Sequence, residues 1–176
     1  KAAGKCVDAL IIVTSDHGEM FGSQGRMFKL TFYDEAARVP FLVRYPGKLK
    51  SGNSDACINT PDIMPTLLGL AGLGDRIPAE VEGADLSPLL QGKGGKEPEA
   101  AFMQGLGHTY LWQNGYEWRA VRDKRFTYAK YLRDGKELLF DRQKDPLCRI
   151  SAAADPAYRA ELARLRGIME GKMSKL

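Results

Sequence analysis

The chain has 176 residues, 44% of them hydrophobic, and a net charge of +4. That size suits one medium domain or two small ones, and no apolar run approaches the roughly 20 residues that cross a bilayer. Three dispersed cysteines, Cys6, Cys57 and Cys148, are too few for a disulfide scaffold and form no Cys-x-x-Cys pair, so they read as buried or free thiols. There is no zinc-knuckle spacing, no G-x-G-x-x-G, no P-loop and no charged-then-apolar leader.

From Asp8 to Thr14 the chain is continuously apolar rather than alternating, the pattern of a strand covered on both faces. Asp16-His17-Gly18 follows at its end, where open α/β sheets place active-site groups. Ser15 to Thr31 reads as a Gly-rich polar loop carrying Lys29, and Tyr33 to Ala37 as a short helical turn. Val39 to Tyr45 predicts a second strand, with Pro40 tolerated near its start and Pro46-Gly47 ending it. Asp62 to Ala71 predicts a buried helix with Asp62 as N-cap, Pro65 in the first turn and Gly72 at C′. Asp85 to Leu90 gives one short turn, and Gly92 to Gly95 is the best linker candidate.

Beyond the linker the character changes. Trp118 to Tyr131 is rich in aromatic and β-favouring residues, Asp134-Gly135 signals a hairpin, and Leu138-Leu139-Phe140 is the returning strand. Asp155-Pro156 opens a helix, and Tyr158, Leu162, Leu165 and Met169 make one apolar stripe along it. A small antiparallel sheet with one helix packed on it is therefore expected. Between Tyr116 and Lys144 lie nine basic and five acidic side chains, which leaves 17 of each sign elsewhere. Such a stretch attracts phosphate, sulfate or nucleic acid, or is simply a solvated face, the more ordinary case.

Taken in order, Thr14-Ser15-Asp16-His17-Gly18-Glu19, Lys29, Tyr33 to Pro40, Tyr45-Pro46-Gly47, Asp62 to Gly72 and Gly83-Ala84-Asp85-Leu86 carry a resemblance. The set resembles the latter half of a type I sulfatase, within the alkaline phosphatase-like superfamily. Trp118 to Arg122, Leu139-Phe140-Asp141 and Asp145-Pro146 resemble that family's C-terminal subdomain. The resemblance implies an α/β fold: the tail of a mostly parallel sheet over 1–95, then over 96–176 a small antiparallel sheet packed with a C-terminal helix.

It also implies roles. Asp16 and His17 would ligate a divalent cation, most often calcium; a carboxylate suits that hard ion, whereas an imidazole suits zinc better, and zinc or manganese is the alternative. Lys29 would contact the sulfate and stabilise charge developing on its oxygens. His108 would reach the pocket rim, or be an ordinary loop histidine. Arg38 reads as structural. Tyr110, Trp112 and Trp118 read as sheet core or as an aromatic wall for a sugar or aryl ring.

The family's formylglycine arises within Cys/Ser-x-Pro/Ala-x-Arg, and none of the three cysteines has that context. The nucleophile and a further Asp pair are thus expected outside this chain, which alone should be inactive. The substrate class implied is a sulfated small molecule or glycan. No nucleic-acid or membrane partner is expected, and an exposed sheet surface would allow self-association. The alternatives are a phosphodiesterase or phosphonate hydrolase of the same superfamily, or a non-catalytic module that binds anionic glycans.

Overall fold

Ile11–Thr14 forms strand β1, and Phe41–Arg44 forms β2 antiparallel to it, with Ile11 opposite Arg44 and Thr14 opposite Phe41. The computed structural model describes residues 8–106 and 117–174, so Cys6, His108, Tyr110 and Trp112 lie outside the described residues. By contact the chain divides into two units. Residues up to Asp16 with Val39–Glu99 form the first, and His17–Arg38 with the residues from Ala100 onward form the second.

The first unit holds β1, β2, helix α2 (Thr60–Leu70) and the short helix α3 (Ser87–Leu90). Helix α2 starts one turn earlier than the sequence pattern suggests. Its N-cap is Asn59, whose side chain accepts from the Thr60 N–H at 2.9 Å. Asp62 is the acidic member of a capping box instead of the cap. Its carboxylate accepts from the Asn59 N–H and from the Ala84 N–H, each at 2.8 Å, tying the helix start to the loop before α3. Pro61 now fills the first turn, and Pro65 falls inside the helix. Pro65 has no N–H to give the Pro61 carbonyl. The chain passes close to that carbonyl at Gly83, where a Cβ would come within 1.9 Å of it. The helix ends as foreseen: Gly72 has φ 79°, and the Leu73 N–H reaches Leu68 O at 2.8 Å, closing a Schellman cap.

The strand pair is not covered on both faces as its apolar sequence suggests. Ile11, Val13 and Leu42 remain 40%, 54% and 62% exposed. An open apolar groove also runs along α2, lined by Leu10, Ile63, Met64, Leu67, Leu68 and Ala71. A two-stranded ribbon cannot enclose its own apolar faces, so these side chains need cover that the described residues of this chain leave out.

The second unit is built on a four-stranded antiparallel sheet in the order β3 (Ala101–Gly105), β4 (Trp118–Arg122), β5 (Phe126–Tyr131), β6 (Glu137–Asp141). Asp134-Gly135 makes the β5–β6 turn, with Gly135 at φ 68°. Strand periodicity sorts the side chains onto two faces. One face carries Val121, Phe126, Tyr128 and Leu139 against Leu165 and Met169 of helix α4 (Arg159–Met173). Asp155 caps the single 3-10 turn that leads into α4. The other face carries Trp118, Ala120, Ala129 and Phe140, and is covered by Met20, Phe32, Tyr33 and Ala36. Phe32 meets the Trp118 ring edge-on at 5.5 Å, and Tyr33 lies 5.9 Å from Phe140. Ala120 and Ala129, both fully buried, keep the sheet surface low beneath these rings. The segment His17–Arg38 is therefore the third layer of this unit. The sequence pattern, which reads it as a loop, does not show that.

Ion pairs bind the layers together. Arg122 grips Asp34, the first residue of helix α1 (Asp34–Ala37), through two bonds of 2.8 and 2.9 Å. Arg166 of α4 holds Glu137 through two bonds of 2.7 Å, and Arg164 holds Asp123 at 2.5 Å. Arg119, Arg122 and Arg125 of the basic stretch are each bonded to a carboxylate, so much of that stretch serves the fold. Cys57 and Cys148 are buried, and burial pushes the Cys148 thiol up to about 11. The Arg38 side chain is exposed, and its backbone N–H bonds Asp34 O.

The hydrogen bond from Arg125, with one from Tyr158, lowers the buried Asp141 carboxyl from 3.8 to about 2. Burial pushes Asp34 and Asp123 upward. The bonds they accept outweigh it, from Arg122 to Asp34 and from the Phe126 N–H and Arg164 to Asp123, and both end low. A carboxyl depressed by folding stabilises the fold above its unfolded value, and that stabilisation is lost as pH falls through its folded value. Melting temperature should therefore hold above about pH 5 and fall steeply toward about pH 2. Asp141→Asn should be less stable near neutrality and flatter in acid; a wild-type profile flat down to about pH 2 would contradict this network.

Candidate functional site

β1 ends at Thr14, and the next two residues close the first unit. Asp16 is exposed there, accepting from Ser15 Oγ at 3.3 Å. His17 begins the covering segment of the second unit. Its fixation starts with Gly18, whose N–H donates to Ala36 O at 2.8 Å. A Cβ on Gly18 would stand 1.9 Å from Glu35 O, so only glycine lets the chain lie so close to α1. The glycine of Asp-His-Gly thus has a packing reason: it seats His17 against a short helix that Arg122 anchors to the sheet.

The loop then turns back. The Met20 N–H donates to Phe28 O at 2.9 Å and the Gly22 N–H to Arg26 O at 2.8 Å, while the Ser23 hydroxyl donates to the Glu35 carboxylate. This closure returns Lys29 to His17, with Nζ 2.8 Å from Nε2. The other ring nitrogen, Nδ1, lies 2.8 Å from Gly18 O. A carbonyl only accepts and an ammonium only donates, so the two contacts assign the tautomer: Nδ1 carries the proton and Nε2 offers its lone pair to Lys29. Both side chains are half-buried.

The structure thus brings together two of the sequence-derived site residues, His17 and Lys29. Asp16 belongs to the other unit, and His108 lies outside the described residues. Trp118, read as core or as a ring-binding wall, is core, 7% exposed. Among the described residues no three His, Cys, Asp or Glu side chains cluster as a metal site.

Comparison with known proteins gives this geometry its context. The family described as N-sulphoglucosamine sulphohydrolase, C-terminal, matches residues 22–175. The chain belongs to this sulfatase family. An ulvan-active sulfatase of Formosa agariphila is 36% identical over 181 residues, covering 99% of this chain and 34% of its own. The structure of BT4656 in complex with its substrate D-glucosamine-2-N,6-O-disulfate superposes with a TM-score of 0.87 over 98% of this chain and 35% of that one. At 24% identity, that likeness speaks for the fold. The phosphonate monoester hydrolase from Silicibacter pomeroyi gives 0.84 at 33% identity, over 99% of this chain and 37% of that one. The chain spans about a third of the length of the curated relatives it matches.

Gly18→Ala is expected to force the chain off α1 and to destabilise the second unit by about 1–3 kcal/mol, the usual range for overpacking. Thermal unfolding measures it. A variant as stable as the wild type would show that the close approach at Glu35 O is not needed.

Proposed function

We propose that this chain is the C-terminal part of a sulfatase that hydrolyses sulfate esters, and that Asp16, His17 and Lys29 are its contribution to the active site. The observation that carries the reading is the Lys29–His17 bond of 2.8 Å, made in a segment that the second sheet holds rigidly behind Asp-His-Gly. That bond sets an ammonium able to bind an anion beside an imidazole able to ligate a cation.

Lys29 binds the sulfuryl oxygens or the leaving oxygen, where its charge grows more favourable as negative charge develops. Asp16 and Nε2 of His17 would hold a divalent cation: calcium, or manganese, by the preference of the carboxylate, zinc by that of the imidazole. When bound, the cation polarises the ester for attack. The Gly18 carbonyl keeps the proton on Nδ1 and so leaves the Nε2 lone pair available. Nε2 cannot serve Lys29 and a cation together. With Nε2 turned to a cation, Lys29 would present its ammonium to substrate. The remaining ligands and the formylglycine nucleophile come from sequence outside this chain.

The names of the relatives favour a sulfated glycan or small molecule as substrate. A second reading, a phosphonate or phosphodiester hydrolase, draws on the likeness to the Silicibacter pomeroyi enzyme. Relative turnover of matched sulfate and phosphonate esters decides between them. The exposed apolar side chains Ile11, Val13 and Leu42 also favour self-association of the chain on its own. Sedimentation should then show oligomers that dissociate on dilution, and a monomer at every concentration would refute it.

In the enzyme that carries the nucleophile, Lys29→Ala should lower kcat about 10²–10³-fold on a sulfate ester. Asp16→Ala should remove the response of turnover to added divalent cation after chelation. Wild-type kcat/KM in the Lys29 variant would end the assignment.

A further inference from the structure

Lys29 sits between two residues whose backbones are left-handed, Phe28 at φ 68° and Leu30 at φ 73°. Neither is a glycine, so the segment is strained at both flanks. Their side chains are 54% and 37% exposed, so burial of those side chains is not what holds the conformation. Their carbonyls are held instead. Phe28 O accepts from the Met20 N–H at 2.9 Å, and Leu30 O accepts from the Trp118 indole N–H at 3.3 Å. Met20 and Trp118 belong to the same buried cluster, 2% and 7% exposed. The lysine is thus carried on a strained three-residue span whose two ends are fastened to one core.

The indole has been given its position. Trp118 lies directly opposite Gly105 in the β3–β4 register, and a Cβ at residue 105 would fall 2.1 Å from Nε1. Phe32 meets the indole edge-on from the covering layer. A buried indole N–H needs an acceptor, and the acceptor supplied is the carbonyl next to Lys29.

We propose that Trp118 is a positioning residue for Lys29: its indole N–H pins Leu30 O, holds the strained 28–30 span, and so keeps the ammonium on Nε2 of His17. Gly105 serves this role by leaving the indole its place. The inference rests on Lys29 as the anion-binding group, but the position of Lys29 can be measured without reference to activity.

The test uses the full chain in a His108→Gln background, which leaves His17 as the only histidine. The ¹⁵N resonances of the imidazole, recorded above the usual imidazole range of pH, report which ring nitrogen carries the proton. The wild-type arrangement predicts Nδ1–H with a hydrogen-bonded Nε2. Trp118→Phe keeps an aromatic ring but loses the donor, and should move the Nε2 resonance toward that of an unbonded ring nitrogen while Gly18 O keeps the proton on Nδ1. In the enzyme that carries the nucleophile it should lower kcat/KM by about tenfold or more. Leu138→Ala, in the same cluster, should lower the melting temperature without moving the Nε2 resonance.

If Trp118→Phe does not fold, Gly105→Ala displaces the indole with its ring intact and should give the same spectral shift. An unchanged Nε2 resonance in Trp118→Phe, or in Gly105→Ala where that variant is used, overturns the proposal; so does an equal shift in Leu138→Ala. Lys29→Met separates the two readings. Should it move the Nε2 resonance but leave kcat/KM unchanged, the anion-binding role of Lys29 fails while the positioning by Trp118 stands.

Discussion

The site depends on one constraint: the segment from His17 to Arg38 must lie flat on the inner face of a sheet assembled about 80 residues later in the chain. That face offers small side chains at Ala120 and Ala129 and large ones at Trp118 and Phe140. Phe32 and Tyr33 fill the space between them. Once those rings are seated, Gly18 meets α1, Asp34 meets Arg122, and Leu30 O meets the Trp118 indole. The Lys29–His17 bond is the last consequence of that packing. A long-range hydrophobic layer thus holds two polar groups at bonding distance in a stretch with almost no regular structure of its own, the usual arrangement of functional groups on a loop fixed by a rigid scaffold.

Local chemistry was legible in the sequence wherever one residue type answers one backbone demand. Gly72 after a buried helix, Asp134-Gly135 between two β-rich runs, Asp155-Pro156 before a stripe of Leu165 and Met169: each has a single physical reading, and the structure bears them out. The start of α2 was legible in kind but not in place. Asn59 and Asp62 are both good caps, and the bond Asp62 accepts from the Asn59 N–H, with a second from Ala84 across the turn, makes it the acidic partner instead. Beside the Pro61 carbonyl, which Pro65 cannot serve as donor, the chain packs at Gly83, more than a dozen residues away, and no local pattern records that.

The layer formed by residues 17–38 was not legible, although a signal existed. β4 and β5 are buried along both faces, while only one amphipathic helix follows them. A sheet apolar on both sides with one helix to cover it needs a second cover from elsewhere in the chain. Phe32-Tyr33 followed by the turn Asp34–Ala37 was the available candidate. The same logic applies to the first unit. There the exposed Ile11, Val13 and Leu42 and the groove along α2 present apolar surface of the kind that is normally covered. Asp-His-Gly was legible as a motif, but the reason for its glycine, the approach to Glu35 O, appears only in three dimensions.

The central claim is that His17 and Lys29 are held together so that a cation and a sulfate ester can part them. A crystal structure of the enzyme with calcium and inorganic sulfate tests it most directly. The account predicts the imidazole Nε2 on the cation and the Lys29 ammonium turned onto sulfate oxygens. A structure with both ions bound elsewhere, and the 2.8 Å bond between the two side chains still intact, would contradict it.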